Sequence, residues 1–255
     1  MGQALLRAAP GFPQLIVTGA VAWSGSLALG RDAGEVAGIG RLNLPVTDDL
    51  PAALAAADVV LDFSQASAAP ATVAACRAAR KPLLLGTTGF GASLDALLET
   101  AAREVALLIA PNTSLGVALL GELTRLAARA LPGSFDIDVL ELHHRLKEDA
   151  PSGTALALAR LAAQARGLPA PVGGASSGRT AGTRPEGQIG LASLRAGDIV
   201  GEHTVLFCGA GEELTLTHRA HDRGIFARGA LSAALWLSSR PPGRYGMDDF
   251  LSLKT

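Results

Sequence analysis

The first half of the chain alternates short apolar runs with stretches spaced as amphipathic helices. Asp58–Phe63 (DVVLDF) is an apolar run ending in polar residues, as a strand buried on both faces does. Residues 66–80 follow at helical spacing, and Lys81–Leu85 (KPLLL) forms a second such run that ends at Gly86-Thr87-Thr88-Gly89. A further helix is predicted over Ser93–Arg103, then a strand over Val105–Ala110 that ends at Pro111-Asn112. Strands and helices alternating at this pitch predict an α/β fold, a doubly wound parallel sheet of Rossmann type. The chain opens on a helical stretch, Met1–Arg7, and Gln14–Val21 reads as a strand.

Beyond Thr113 the texture changes. A long helix is predicted over Gly116–Leu131, and Phe135–His144 alternates with period two, as a half-exposed strand would. Thr154–Arg166 reads as a helix and residues 170–184 as a Gly/Ser/Pro-rich loop. Gln188–Arg195 and Glu202–His218 read as β runs with an antiparallel look, and Phe226–Ser239 as an apolar helix. The expected organisation is a nucleotide-type α/β domain over residues 1–113 and 224–255, with a second, α+β domain over 114–223.

Composition narrows the function. Hydrophobic residues are 49% and charged residues 18%, which excludes a disordered chain, a collagen and a coiled coil. A net charge of −1 and 4% aromatics offer neither the basic footprint nor the stacking surfaces of a nucleic-acid binder. The two cysteines, Cys76 and Cys208, make no disulfide framework, so a cytoplasmic location is expected. Apolar stretches such as Ala101–Asn112 are short and carry Arg103 and Glu104, so no membrane span is expected. The first twenty residues lack the pattern of a signal peptide.

Candidate chemistry concentrates in residues 141–155, ELHHRLKEDAPSGTA. A strand delivers His143 and His144, a loop carries Lys147, and Ser152-Gly153-Thr154 opens a helix whose first N–H groups suit an anion. Histidine exchanges a proton near neutral pH and lysine supplies a fixed positive charge, a pairing suited to an anionic substrate that must be protonated. Taken by themselves, a histidine pair is more often structural and Pro-Ser-Gly-Thr is also an ordinary helix cap. A metal site from Glu141, His143 and His144 lacks a further ligand at helical spacing, so no metal is expected. A cysteine nucleophile is disfavoured, since Cys76 falls within a helix and Cys208 within a β run.

The 141–155 run resembles the signature of the dihydrodipicolinate reductase family. Similar blocks recur in order at Gly86–Phe90, Ala110–Ser114, Arg195–Thr204 and Phe226–Ala230. The resemblance implies reduction of a cyclic dicarboxylate, 4-hydroxy-tetrahydrodipicolinate, by NADPH or NADH in lysine and diaminopimelate synthesis. Hydride would reach C4 of the ring, the C4 hydroxyl would leave as water, and a proton would be added at the neighbouring carbon. It implies His143 and Lys147 as the catalytic pair, and His144, Ser152, Gly153 and Thr154 as substrate-binding residues. On the cofactor side it implies Gly2, Trp23, Ser24, Phe63, Gly86, Thr87, Thr88, Ala110, Pro111, Asn112 and Thr113. A homotetramer built through the second domain's sheet, including Gln188–Arg195 and Glu202–Phe207, is likewise implied.

Two departures qualify the resemblance. The family's Gly-x-x-Gly-Arg-Met-Gly turn is matched only by Met1-Gly2, so the first strand and most of that turn, roughly 12 to 18 residues, are expected to be missing. Poor folding or weak cofactor binding is the corresponding expectation, with a non-catalytic nucleotide-fold protein as the alternative reading. The acidic residue that would bond the ribose of NAD is absent from Ala22–Ser26, and Gln65 stands where some members carry Arg, which leaves the choice of nicotinamide cofactor open.

Overall fold

Strand and helix placement follows from where apolar runs can be buried and where polar caps end them. A computed structural model of the chain describes residues 1–87, 92–169 and 183–252. The chain divides into two compact units, residues Met1–Leu115 with Gly224–Thr255, and residues Gly116–Arg223.

In the first unit, α1 (Gly2–Ala8) leads to β1 (Ala20–Val21), α2 (Ala33–Ala37), β2 (Val46–Thr47) and α3 (Leu50–Ala55). Then β3 (Val60–Asp62), α4 (Ala69–Ala79), β4 (Leu83–Leu85), α5 (Ala92–Ala102) and β5 (Ala106–Ile109) follow in the predicted alternation. The predicted strand over Gln14–Val21 shortens to its last two residues, which pair in parallel with β2. Asp32 organises this region: its carboxylate caps α2 at Gly34 and Glu35 and also accepts from the backbone N–H groups of Leu42 and Leu44. These four donors hold its pKa at about 2.

The second unit runs from α6 (Leu115–Ala130) through β6 (Asp136–His143), α7 (Gly153–Arg166), β7 (Ile189–Arg195), β8 (Gly201–Gly209) and β9 (Glu212–Ala220). The chain then returns to the first unit with α8 (Gly224–Leu237), β10 (Gly243–Tyr245) and α9 (Met247–Phe250). Among the described residues the first unit's larger sheet is parallel, in the order β10-β5-β4-β3. Leu83, Leu84, Leu85, Leu107 and Leu108 are fully buried in it, which is why KPLLL and VALLIA read as continuous apolar runs.

The second unit's sheet has the order β7-β6-β8-β9. Here the structure corrects the expected pairing of Gln188–Arg195: β7 runs parallel to β6, and only the β6–β8 and β8–β9 pairs are antiparallel. The reason is the connection. β6 and β7 are joined by α7, and a helical crossover returns a strand parallel to the one it left. The run Glu202–His218 is likewise two strands, split at Ala210-Gly211, where Gly211 takes the left-handed conformation with φ +85°. The predicted loop over 170–184 lies outside the described residues except for Thr183 and Arg184.

Alternation along β6 sends Ile137, Val139, Glu141 and His143 to one face and Asp138, Leu140 and Leu142 to the other. The first face packs under Leu158, Ala159 and Ala162 of α7 and joins Ile189, Leu191, Val205 and Phe207 from the neighbouring strands. The other face leaves Leu194 57% exposed, beside Leu142 in register.

Candidate active site

The covered face of the second sheet changes character along its strands. Toward the end of β6 the apolar rows give way to Glu141 and His143. Register sets Glu141 opposite Ser193 of β7 and His203 of β8, and His143 opposite Arg195. One end of the sheet is therefore core and the other is a polar cluster.

Glu141 is the centre of that cluster and is fully buried. Arg195 meets it with two parallel hydrogen bonds, Nη2 to Oε1 at 2.7 Å and Nη1 to Oε2 at 2.9 Å. The Ser152 amide donates to Oε1 at 3.1 Å, and His143 Nδ1 lies 2.5 Å from Oε2. Burial by itself raises the carboxyl's pKa, but the hydrogen bonds from Arg195, His143 and Ser193 and the guanidinium charge outweigh it and hold it at about 2. Glu141 is thus an anion matched by a fork-shaped cation, the strong form of such a pair.

His143 sits under opposed influences. Burial pushes its pKa below the usual histidine value, Glu141 pulls it up, and Lys147 and Arg195 push it down. Its ring meets that of His203 edge-on, with centroids 5.2 Å apart. On the β8 side it faces Gly201, where a Cβ would come within 3.0 Å of Nε2. Glycine there leaves room beside the ring nitrogen that Glu141 does not hold.

His203 is buried, with its pKa brought to about 4 chiefly by burial and then by the neighbouring His143, so it is neutral at pH 7. A 2.9 Å hydrogen bond joins its Nε2 to Ser152 Oγ, which also accepts from the Ala155 amide as the cap of α7. The polar atoms of Ser152 are therefore engaged inside the protein, and the residue is 3% exposed. Gly153 follows at the first helical position, where an added Cβ would meet nothing within 4 Å. The ladder of α7 begins only at the Leu156 amide, which donates to Ser152 O, so the amides of Gly153 and Thr154 precede it.

Lys147 lies on the loop between β6 and α7, with Nζ 2.7 Å from Asp149 Oδ1. Asp149 is 62% exposed, so this is a surface pair that a competing carboxylate can replace. Arg195 holds the same loop: its Nη2 donates to Asp149 O at 2.7 Å and its Nε to Lys147 O at 3.3 Å. His144 accepts at Nε2 from Arg223 at 3.0 Å. The structure thus brings His143, Lys147, Ser152 and Gly153 into one unit with Glu141, Arg195, His203 and Gly201, which the sequence reading did not assign. Strand alternation carried the signal for Glu141, two positions before His143 on the same face. Both of its oxygens are engaged with donors, which leaves it unsuited to the metal site weighed from sequence.

The cofactor-side residues belong to the first unit. Phe63, Gly86 and Ala110 directly follow β3, β4 and β5, at the carboxyl ends of parallel strands where ligands of open α/β sheets bind. A Cβ on Gly86 would fall 2.1 Å from the Phe63 ring, so this glycine gives the ring its place. Thr87 Oγ1 donates to Ser64 O at 3.2 Å and Thr113 Oγ1 to Phe226 O at 2.6 Å, while Asn112 Oδ1 accepts from the Ser114 amide. Pro111 is exposed between them. Trp23, 74% exposed, follows β1 with its ring folded over Gly25, and Ser24 is exposed beside it. Gly2 opens α1 with open space at its Cα, and Thr88 lies outside the described residues. A glycine beside an aromatic ring at the strand ends, with no carboxylate within Ala22–Ser26, fits a nicotinamide dinucleotide of either kind.

Comparison with known proteins matches both parts of the chain to one family. The family model "Dihydrodipicolinate reductase, N-terminus" matches residues 1–113 and "Dihydrodipicolinate reductase, C-terminus" matches residues 116–251. A protein named 4-hydroxy-tetrahydrodipicolinate reductase from Anaeromyxobacter dehalogenans is 48% identical over 255 residues, covering 100% of this chain and 94% of the relative. The protein of the same name from Alkalilimnicola ehrlichii is 51% identical over 99% of this chain and 95% of its own. Among solved structures, a dipicolinate-bound dihydrodipicolinate reductase from Paenisporosarcina sp. TG-14 shares the fold with a TM-score of 0.76 and 24% identity, over 97% of this chain and 94% of that one.

Proposed function

The chain belongs to the dihydrodipicolinate reductase family, and from that premise we propose that the polar end of its second sheet carries the family's proton chemistry. The reaction is the reduction of 4-hydroxy-tetrahydrodipicolinate to tetrahydrodipicolinate by NADH or NADPH, with loss of water, in lysine and diaminopimelate synthesis. When bound, the reduced nicotinamide supplies a hydride. The C4 hydroxyl leaves as water together with a proton from the neighbouring carbon, and once hydride has reached C4 that carbon takes up one proton.

His143 supplies the ring proton from Nε2, the nitrogen beside Gly201. Lys147 exchanges its Asp149 partner for a substrate carboxylate, and Gly153 and Thr154 at the start of α7 border the same anionic group. Ser152 presents those residues by capping the helix rather than by bonding the substrate itself. His144, steadied by Arg223, borders the substrate. The observation that carries this reading is the convergence of His143, the Lys147 loop and the start of α7 on one buried carboxylate, Glu141, either directly or through Arg195. On the first unit, Phe63, Gly86, Ala110–Thr113, Trp23, Ser24 and Gly2 hold the dinucleotide, with residues 1–113 and 224–255 as its domain.

The second sheet's open face supplies an assembly surface for a homotetramer, supported by exposed Leu194 next to Leu140, Leu142 and Ala192. No helix among the described residues is long and apolar enough to cross a membrane. Both cysteines are free thiols, which suits the reducing cytoplasm.

Steady-state rates test the division of labour. His143→Gln is expected to lower kcat by roughly 10²–10⁴-fold, whereas Lys147→Ala acts mainly by raising KM for the dicarboxylate. Near-normal turnover in His143→Gln alongside a dead Lys147→Ala would overturn the assignment.

A further inference from the structure

Two residues that contact neither ring substituent nor nicotinamide in this reading nevertheless hold His143, the Lys147 loop and the residue that caps α7. Glu141 binds His143 at Nδ1 and the Ser152 amide that starts α7. Arg195 binds both oxygens of Glu141 and then reaches the backbone carbonyls of Lys147 and Asp149. The β7 strand that carries Arg195 is parallel to β6, and the register sets Arg195 opposite His143. The backbone reinforces that placement, since the Ala196 amide donates to His143 O at 2.9 Å.

We propose that Glu141 and Arg195 form a positioning pair: the carboxylate keeps the His143 proton on Nδ1, leaving Nε2 as the atom that exchanges a proton with the ring, and the guanidinium fixes the Lys147 loop against the same carboxylate. The inference rests on the assignment of His143 and Lys147 given above. Its logic is one of atom identity. An imidazole whose Nδ1–H is spent on a carboxylate has a single nitrogen left for chemistry, and here that nitrogen lies beside Gly201, where no side chain fills the space. A guanidinium suits the second task because its planar fork can bond the carboxylate through both Nη atoms while Nε and the outer edge hold two carbonyls; an ammonium has no such geometry.

The pair also sets the pH range over which His143 works. The charged and titratable groups facing it are Glu141 on its own strand, Arg195 from β7, Lys147 from the loop and His203 from β8. Glu141 is the one anion among them. Its removal leaves only burial and cations, so the histidine's pKa falls further. If the protonated ring is the donor, kcat/KM falls as pH rises through that pKa, and Glu141→Gln moves this descending limb to lower pH. A movement of one pH unit is a tenfold loss of rate on the limb.

The test uses the full-length protein labelled with ¹⁵N in its histidine rings. In the wild type, above the titration of His143, the ring spectrum should show protonated Nδ1 and unprotonated Nε2. Glu141→Gln should lose that preference and carry the acid shift of the kcat/KM limb. Arg195→Lys should keep the Nδ1–H form while raising KM about tenfold, as the Lys147 loop is released. A wild-type ring protonated at Nε2 overturns the proposal without any variant, and so decides the matter even if Glu141→Gln does not fold. An unmoved limb and unchanged ring form in folded Glu141→Gln overturn it equally. Failure of the underlying assignment looks different: His143→Gln would stay active while the ring spectra still followed Glu141.

Discussion

Gly201→Ala probes the space beside His143 with the smallest change available. Gly201 does not occupy the left-handed region, so alanine meets no backbone strain there and the effect is one of contact. The added methyl would stand 3.0 Å from Nε2 and 3.3 Å from Cδ2. Ordinary carbon contacts lie at about 3.5–4.0 Å, so the ring must retreat by roughly half an ångström. Retreat is opposed on both sides, by the hydrogen bond of Nδ1 to Glu141 and by the His203 ring at 5.2 Å. Overpacking of this kind costs about 1–3 kcal/mol, and a misplacement near 1 Å can cost about a hundredfold in rate, so a half-ångström displacement is expected to lower kcat/KM by roughly tenfold. Initial rates of reduced-nicotinamide consumption, set beside the melting temperature, separate damage to the site from damage to the fold. Full activity in a normally folded Gly201→Ala would mean that nothing approaches His143 from that side. A rate loss that merely follows the loss of folded protein would refute the reasoning as well.

Further expectations concern acid and assembly. Glu141 has its carboxyl pKa lowered from 4.5 to about 2, so its contribution is whole above pH 4.5 and disappears as the pH falls through 2; the shift corresponds to about 3 kcal/mol at most. Urea midpoints measured between pH 7 and 2 should fall across that window, and a Glu141→Gln protein that declines just as steeply would remove Glu141 as the cause. On the open face of the second sheet, Leu194→Asp should leave the circular dichroism spectrum intact while converting the assembly to smaller species in sedimentation velocity. A wild type that sediments as a monomer would end the assembly reading.

How far the chain announces all this depends on the range of the interactions. Runs such as KPLLL and VALLIA advertise β4 and β5 because a strand covered on both faces has no polar rows to interrupt it. By contrast, QLIVTGAV looks as apolar, yet only Ala20 and Val21 find a partner in β2, since strand formation needs a neighbour as much as a composition. His143, Lys147 and the Ser152–Thr154 cap were legible because they lie within a dozen residues of one another and carry the chemistry openly. Arg195 was not: it is 52 residues from His143 in sequence, and only the parallel return of β7 sets the two in register. The antiparallel look of Gln188–Arg195 misleads for the same reason, because direction is decided by the crossover and not by the strand's own residues. His203 shows the remaining gap. A histidine inside a β run gives no hint of burial until β8 is set against Glu141.

That long return has a temporal side. A chain that has made β6 and α7 but has not yet recruited β7 holds both histidines and the lysine, yet its carboxylate faces no guanidinium. During refolding, turnover is expected to return only once β7 has paired with β6 and brought Arg195 to Glu141, a long-range step that local helix and strand formation does not include.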